Sequence, residues 1–134
     1  MTYLLVGMGQ VRGNPWATIA MQAIAAEAVL TPPDPDGPNM FRCAAPGHVS
    51  ALYQSAGLRD IADWEVHVEL VTRSPARYWE MISEHVSLAV AALAQVDEPA
   101  RERIAKSVIA RVSTYQEGGR VRIPGLARCI IGTK

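Results

Sequence analysis

The sequence predicts an α/β protein with about three strands and four helices. Three observations carry this prediction: an apolar run near the start, an alternating apolar and polar run in the middle, and capping residues followed by proline ahead of the intervening segments. The predicted order, strand–helix–helix–strand–helix–helix–strand, is typical of an α/β domain. The chain has 134 residues, of which 49% are apolar and 19% charged, so it is long enough to bury a core.

The first part of the chain predicts a strand, a helix and a loop. Tyr3–Val6 is apolar or aromatic throughout, which is typical of a short, fully buried strand. Asn14 and Pro15 predict the start of a helix that continues to about Val29, because Asn caps free N–H groups and Pro suits the first helical position. Thr31–Pro38 contains four prolines and therefore predicts a loop.

The middle of the chain predicts a helix followed by a strand. The helix runs from about His48 to Ala56, and Gly57 ends it in the left-handed cap position. From Trp64 to Leu70, apolar residues alternate with charged or polar ones. Alternation of this kind predicts a strand whose polar side faces water.

The remaining residues predict two helices and a last strand. A Ser-Pro pair begins a helix over residues 74–95, and an acidic residue before proline begins another over residues 97–119. Residues 126–131 form the last predicted strand. The helix over residues 74–95 carries an apolar face that is wider than contact with one sheet requires.

Charge and cysteine content limit the classes of partner. Thirteen basic residues balance thirteen acidic ones, and no cluster of Lys and Arg indicates a nucleic-acid partner. Cys43 and Cys129 lack the spacing of a metal motif and are expected to stay reduced in the cytoplasm. The apolar start is too short for a signal peptide or a membrane span. We therefore expect a cytoplasmic protein without metal, nucleic acid or membrane as partner, whose zero net charge permits self-association.

Three glycines follow the first predicted strand, at Gly7, Gly9 and Gly13. A Gly-x-Gly turn after a strand is one way to cradle a phosphate. A dinucleotide fingerprint, however, leads directly into a helix, and here the helix begins only at Asn14. A flexible strand-to-helix connection is the favoured interpretation, and the phosphate cradle is its alternative.

Glu65, His67 and Glu69 share one face of the middle strand. Two carboxylates and an imidazole at alternate positions are suited to metal binding or proton transfer. The favoured interpretation is the polar side of a half-exposed sheet, because ligands on a single strand rarely complete a metal site.

Several short sequence segments resemble those of a known family, and they occur in the same order along the chain. They are Asn14-Pro15-Trp16, Asn39-Met40-Phe41, Ser55–Ile61, Ser74–Trp79 and Arg120–Ile131. In these phrases the chain resembles the C-terminal half of a class I S-adenosylmethionine-dependent methyltransferase of the group that methylates small molecules. The resemblance implies a single, partial methyltransferase-like domain over residues 1–134, the C-terminal portion of a Rossmann-like fold. It also implies that residues 74–119 form a helical insertion on the substrate side.

The resemblance implies methyl transfer from S-adenosylmethionine to a small molecule. In that family a Gly-rich turn after the first strand and polar groups after the next two hold the cofactor, and the match here begins near the fifth strand. We therefore expect no catalytic and no cofactor-binding residue in this chain. Activity is expected only if a missing N-terminal half, for example from a second chain, completes the domain.

The alternative function is a non-catalytic module, derived from the same fold, that forms homodimers or binds a small ligand. Without its neighbouring strands, Tyr3–Val6 would present an uncovered edge, and uncovered edges tend to pair with another chain. A homodimer that completes the sheet across a two-fold axis would remove the exposed edge.

Four residues are candidates for substrate contact: Tyr78, Trp79, Met81 and His85. In the resembling enzymes the helical insertion covers the substrate pocket, which is what the resemblance implies for these four positions. Packing in the core is the alternative, and contact with a second chain is a third possibility for so wide an apolar face.

Overall fold

The computed structural model describes residues 1–31, 34 and 37–134. Within these residues five α-helices and four strands form a mixed α/β structure with an antiparallel sheet. The strands are β1 Thr2–Met8, β2 Arg59–Thr72, β3 Gln116–Glu117 and β4 Arg120–Thr133, and the helices are α1 Pro15–Ala25, α2 His48–Ser55, α3 Pro75–His85, α4 Ser87–Leu93 and α5 Glu98–Ser113. The prediction of mixed helices and strands is confirmed, with one more helix and one more strand than expected.

The last strand lies in the middle of the sheet. β4 is flanked by β1 and β2, and the short β3 pairs with the beginning of β4. β1 runs antiparallel to β4, with Thr2 opposite Thr133. β2 also runs antiparallel to β4, since the Thr133 hydroxyl donates to the Arg59 carbonyl while Arg122, near the start of β4, pairs with Glu69. β1 and β2 are therefore parallel to each other.

The described residues form two compact units. One contains β1, residues 37–68 and Pro124–Lys134; the other contains α1 with the residues after it to Thr31, and Glu69–Ile123. The second unit holds the main hydrophobic core, built from α1, α3, α4, α5 and the start of β4. Its fully buried large side chains are Ile24, Tyr78, Ile104, Val108, Val112, Val121 and Ile123.

The predicted helix over residues 74–95 is two helices. Ser74 caps α3 as expected, accepting a hydrogen bond from the Arg77 N–H, but Val86 adopts an extended conformation and separates α3 from α4. Each helix turns its own apolar face into the core, Ile82 from α3 and Ala89 from α4. The apolar face looked too wide for one helix because the sequence pattern combined two helices.

The structure describes part of the predicted proline loop and all of the segment after the last helix. Of the predicted proline loop, Thr31, Asp34, Gly37 and Pro38 lie outside helices and strands, while Pro32, Pro33, Pro35 and Asp36 lie outside the described residues. The predicted last helix ends at Ser113, and a tight turn at Gly118-Gly119, both with positive φ, then joins β3 to β4. β3 of this hairpin is the additional strand.

Close packing against Leu126 accounts for the glycines after β1. The Gly9 N–H donates to the Leu126 carbonyl at 2.7 Å, and a Cβ at Gly9 would lie 2.7 Å from that same oxygen. A Cβ at Gly13 would lie 2.9 Å from the Leu126 side chain. The buried Asn14 amide accepts from the Leu126 N–H at 2.8 Å and donates to its carbonyl. These contacts favour the interpretation of the segment as a connection rather than a phosphate cradle.

A buried arginine fastens the residues around α2 to the sheet in the first unit. Arg128 is 5% exposed, and its guanidinium donates to Asp63 at 2.5 Å, to Glu65 at 2.7 Å and to the Ala44 carbonyl at 3.1 Å. Asp63 also accepts from the Gly47 N–H at 3.0 Å. One cluster thus joins β2, β4 and the turn that precedes α2.

We predict that replacing Arg128 with Met destabilises the protein by about 3–5 kcal/mol, because removal of one partner leaves half-buried carboxylates without their counterion. Arg122→Met is the matched control on the same strand. Its pair with Glu69 is solvent-exposed, so its loss should cost less than about 1 kcal/mol. Urea unfolding followed by circular dichroism measures both, and equal effects of the two variants would contradict the assignment of Arg128 as the fastening residue.

We also predict a loss of stability in acid that depends on Asp63. Burial raises the pKa of Asp63, but hydrogen bonds from Gly47 and Arg128 outweigh burial and lower the pKa below 3.8. A carboxyl with a lowered pKa in the folded state stabilises it above its unfolded pKa, and that stabilisation is lost as the pH falls through the folded pKa. Urea unfolding between about pH 5 and pH 2 should therefore show a shallower pH dependence for Asp63→Asn than for the unaltered chain. The exposed Glu117→Gln should keep the original dependence.

Candidate functional site

An open groove of about 450 Å³ lies beside α3 in the second unit. It is lined by Thr72, Arg73, Arg77, Glu80, Met81 and His85. Arg77 forms an ion pair with Glu80, so one of the two arginines already has a carboxylate partner. The other polar groups, together with the thioether of Met81, give the groove a mixed polar and apolar wall suited to a small organic molecule.

The four predicted substrate residues lie in three different places. Met81 and His85 line this groove together. Trp79 lines a separate groove of about 490 Å³ between α3, α4 and α5, beside Leu93 and Arg101. Tyr78 is fully buried in the core. The groove beside α3 therefore brings together two of the four residues, and substrate contact by any of them stays a prediction.

Tyr78 anchors α3 to α1. Its hydroxyl donates to the carbonyl of Trp16, and its ring lies among the core residues. Burial raises the pKa of Tyr78 to about 12, which keeps the phenol neutral and its proton available for this hydrogen bond. The contacts made by Tyr78 are those of a core residue that fixes the position of α3.

The groove also contains residues that were missed in the sequence. Arg77, Met81 and His85 are spaced four residues apart, so they follow one another along one face of α3. Arg73, which lies before the N-cap of the helix, precedes Arg77 by the same interval. This spacing is a signal that could have placed the two arginines beside Met81 and His85, although it could not have shown that the face lines a groove.

A second feature lies on the sheet in the first unit. Residues directly opposite each other on paired strands share a face, and Leu4 lies opposite Ile131 while Val6 lies opposite Cys129. Leu4 and Val6 are 62% and 61% exposed. The prediction of a fully buried first strand is therefore wrong, because one face of β1 has no covering layer among the described residues.

β2 continues the same face. Arg128 points to the opposite side of the sheet, where it contacts Asp63 and Glu65. Because side chains alternate along a strand, Trp64 and Val66 project to the side of Leu4 and Val6. Trp64 is 43% and Val66 is 37% exposed. Glu65, which was expected to face water, thus binds the buried Arg128. Trp64 and Val66, which were expected to face inward, are exposed.

We call this surface the apolar sheet face. It consists of Leu4, Val6, Trp64, Val66, Cys129 and Ile131. Three adjacent strands contribute two residues each, and none of the six is charged. Exposed apolar surface that is continuous over several strands marks a site of interaction.

Of the Glu65, His67 and Glu69 set, the two carboxylates form ion pairs with arginines. Glu65 pairs with Arg128 and Glu69 with Arg122, so each carboxylate neutralises an arginine of β4. In the described part of the chain, no group of three or more His, Cys, Asp and Glu side chains is placed to hold a metal ion. These contacts support the interpretation of a polar sheet surface at this position.

No family model matches the sequence, and none of the curated proteins matches it either. The helices in residues 1–31, 34 and 37–134 include none that is both long enough and apolar enough to cross a membrane.

We predict that Tyr78→Phe destabilises the protein by about 0.5–1.5 kcal/mol, since it removes the hydrogen bond that the buried hydroxyl donates to the Trp16 carbonyl. Tyr115→Phe, a partly buried tyrosine packed against the same core, provides the matched control and should have a smaller effect. Thermal unfolding measures the difference. If Tyr78→Phe unfolds at the same temperature as the unaltered chain, the hydroxyl does not hold α3 to α1.

Proposed function

We propose that this chain is the substrate-side half of an S-adenosylmethionine-dependent methyltransferase, which transfers a methyl group to a small molecule once a cofactor-binding half completes it. The observation that supports the proposal is the arrangement of the strands, together with the sequence segments that resemble the family in consistent order. β1 and β2 point in the same direction on the two sides of β4 and are connected through helices, which accords with successive strands of a Rossmann-like domain.

The groove beside α3 is the proposed acceptor site. It lies within the segment that the resemblance places on the substrate side, and Met81 and His85 supply an apolar and a polar contact in it. Methyl transfer depends mainly on holding the acceptor in line with the donor methyl group. The groove is therefore assigned the role of binding and orienting the acceptor, without an acid–base pair.

Among the described residues, the surroundings of Gly9 and Gly13 leave no room for S-adenosylmethionine. The Gly9 N–H that a cofactor could use is bonded to the Leu126 carbonyl, and Leu126 fills the space beside Gly9 and Gly13. The cofactor would have to be held by sequence that precedes these residues or by another polypeptide. We therefore assign no step of the transfer to a cofactor-binding residue of this chain.

A cytoplasmic location is part of the proposal. Cys43 and Cys129 are both free and only partly buried. Partly exposed thiols that are not paired accord with a reducing compartment.

We predict that the isolated chain gives no heat with S-adenosylmethionine up to about millimolar concentration in a calorimetric titration. A chimera that places the cofactor-binding half of an intact small-molecule methyltransferase before Met1 should bind the cofactor with one-to-one stoichiometry. The donor half alone should bind at least about tenfold more weakly, because its sheet is incomplete without the strands supplied here.

Two results would contradict the proposal. One is a folded chimera that binds no better than the donor half alone. The other is tight binding by the isolated chain, which would mean that the residues around Gly9 form a cofactor site after all. A chimera that carries a bulky residue in the donor's own Gly-rich turn controls for nonspecific heat.

A further inference from the structure

The groove beside α3 contains a positive charge that no carboxylate of the described residues balances. Of its two arginines, Arg77 forms an ion pair with Glu80. The Arg73 guanidinium donates no hydrogen bond and forms no ion pair within the part of the chain that the structure describes. With His85 counted as neutral, the lining of the groove therefore has one unbalanced positive charge, and that charge is on Arg73.

Hydrogen bonds on both sides of Arg73 fix the position of its backbone. Arg73 lies between Thr72, the last residue of β2, and Ser74, the N-cap of α3. The Thr72 hydroxyl donates to the Ser74 carbonyl at 2.9 Å, and the Ser74 hydroxyl accepts from the Arg77 N–H at 3.2 Å. Because the turn is already ordered, a ligand that binds the guanidinium has only the Arg73 side chain to immobilise, which lowers the entropic cost of binding.

An apolar contact and then a polar contact follow the arginines along the helix. Met81 and His85 come after Arg77 at successive intervals of four residues, and each interval is about 6 Å along the axis of an α-helix. The thioether of Met81 adapts its shape to an apolar group, and the imidazole of His85 can donate or accept one hydrogen bond. The groove thus presents a cation, an apolar surface and a polar group in this order.

We propose that this groove binds a small organic carboxylate, with the carboxylate on Arg73 and its apolar body on Met81. A guanidinium presents a planar fork of N–H donors that matches the two oxygens of a carboxylate. One carboxylate also balances the single positive charge of the lining, whereas a doubly charged phosphate would place excess negative charge beside Glu80. The role of such an acid as the methyl acceptor rests on the proposed function, but its binding to the isolated chain does not.

The groove beside Trp79 is not suited to the same ligand. Its charged residues are Arg101, Glu98 and Glu102, so carboxylates outnumber cations there. The Arg101 guanidinium also donates to the Leu93 carbonyl at 2.9 Å, which engages part of its donor capacity. Charge therefore directs an organic anion to the groove beside α3.

The experiment titrates the full chain with benzoate at constant ionic strength and follows the assigned NMR signals of the backbone amides and methionine methyl groups. We expect saturable shifts at Arg73, Met81 and His85 with a Kd of about 1–10 mM, since an exposed charge contact contributes modestly. Benzyl alcohol, which has the ring without the charge, should bind at least about fivefold more weakly. Inorganic phosphate should also bind at least about fivefold more weakly, because it has no apolar body.

Arg73→Gln should weaken benzoate binding by about fivefold and leave the binding of benzyl alcohol unchanged. Arg120→Gln is the matched control, because Arg120 is an exposed arginine of the same unit that does not line the groove. It should bind benzoate like the unaltered chain. Arg73 is itself exposed, so its substitution should leave the fold intact, and circular dichroism checks this for both variants.

Three results would overturn the carboxylate site. They are the absence of saturable shifts up to about 50 mM benzoate, equal affinities for benzoate and benzyl alcohol, and unchanged benzoate binding by Arg73→Gln. Any of these combined with a chimera that binds S-adenosylmethionine would leave the proposed function standing. Conversely, Arg73-dependent benzoate binding by a chain whose chimera fails to bind the cofactor would support the site and contradict only methyl transfer.

Discussion

A guanidinium held between two carboxylates is the interaction on which the first unit depends. Arg128 projects from the middle strand and donates to Asp63 and Glu65 of the neighbouring strand and to the Ala44 carbonyl. Two charges removed from water are costly unless every remaining donor and acceptor is satisfied. Here no buried side-chain nitrogen or oxygen of the described residues lacks a hydrogen-bond partner. This explains how the charged Arg128 can occupy a buried position where an apolar side chain is usual.

This arrangement decides which side of the sheet faces water. Because the carboxylates of β2 turn toward Arg128, the alternation of the strand forces Trp64 and Val66 to the other side. A hydrophobic layer that ordinarily points into a core is thereby placed on the surface. The ion-pair cluster around Arg128 and the exposed apolar face both follow from which side chains of β2 point toward Arg128.

Local signals in the sequence predicted much of the fold. The caps at Ser74 and Asp97 and the left-handed Gly57 were recognisable because each depends on backbone needs within a few residues. The break at Val86 was not, because apolar residues continue across it without a Gly or Pro to interrupt them. The exposure of β1 was also missed: an unbroken apolar strand looks the same whether or not another layer covers it. In the candidate site, the spacing of Met81 and His85 was recognisable, whereas the groove depends on residues far apart in the chain.

The contact between Gly9 and Leu126 has a consequence for how such a sequence changes over generations. A side chain at position 9 would meet the backbone oxygen of residue 126 as well as its side chain, so no smaller residue at position 126 could make room for it. A smaller residue at position 126 would therefore not make position 9 tolerant of a side chain. Glycine should therefore persist at position 9 in related sequences, whatever side chain stands at position 126.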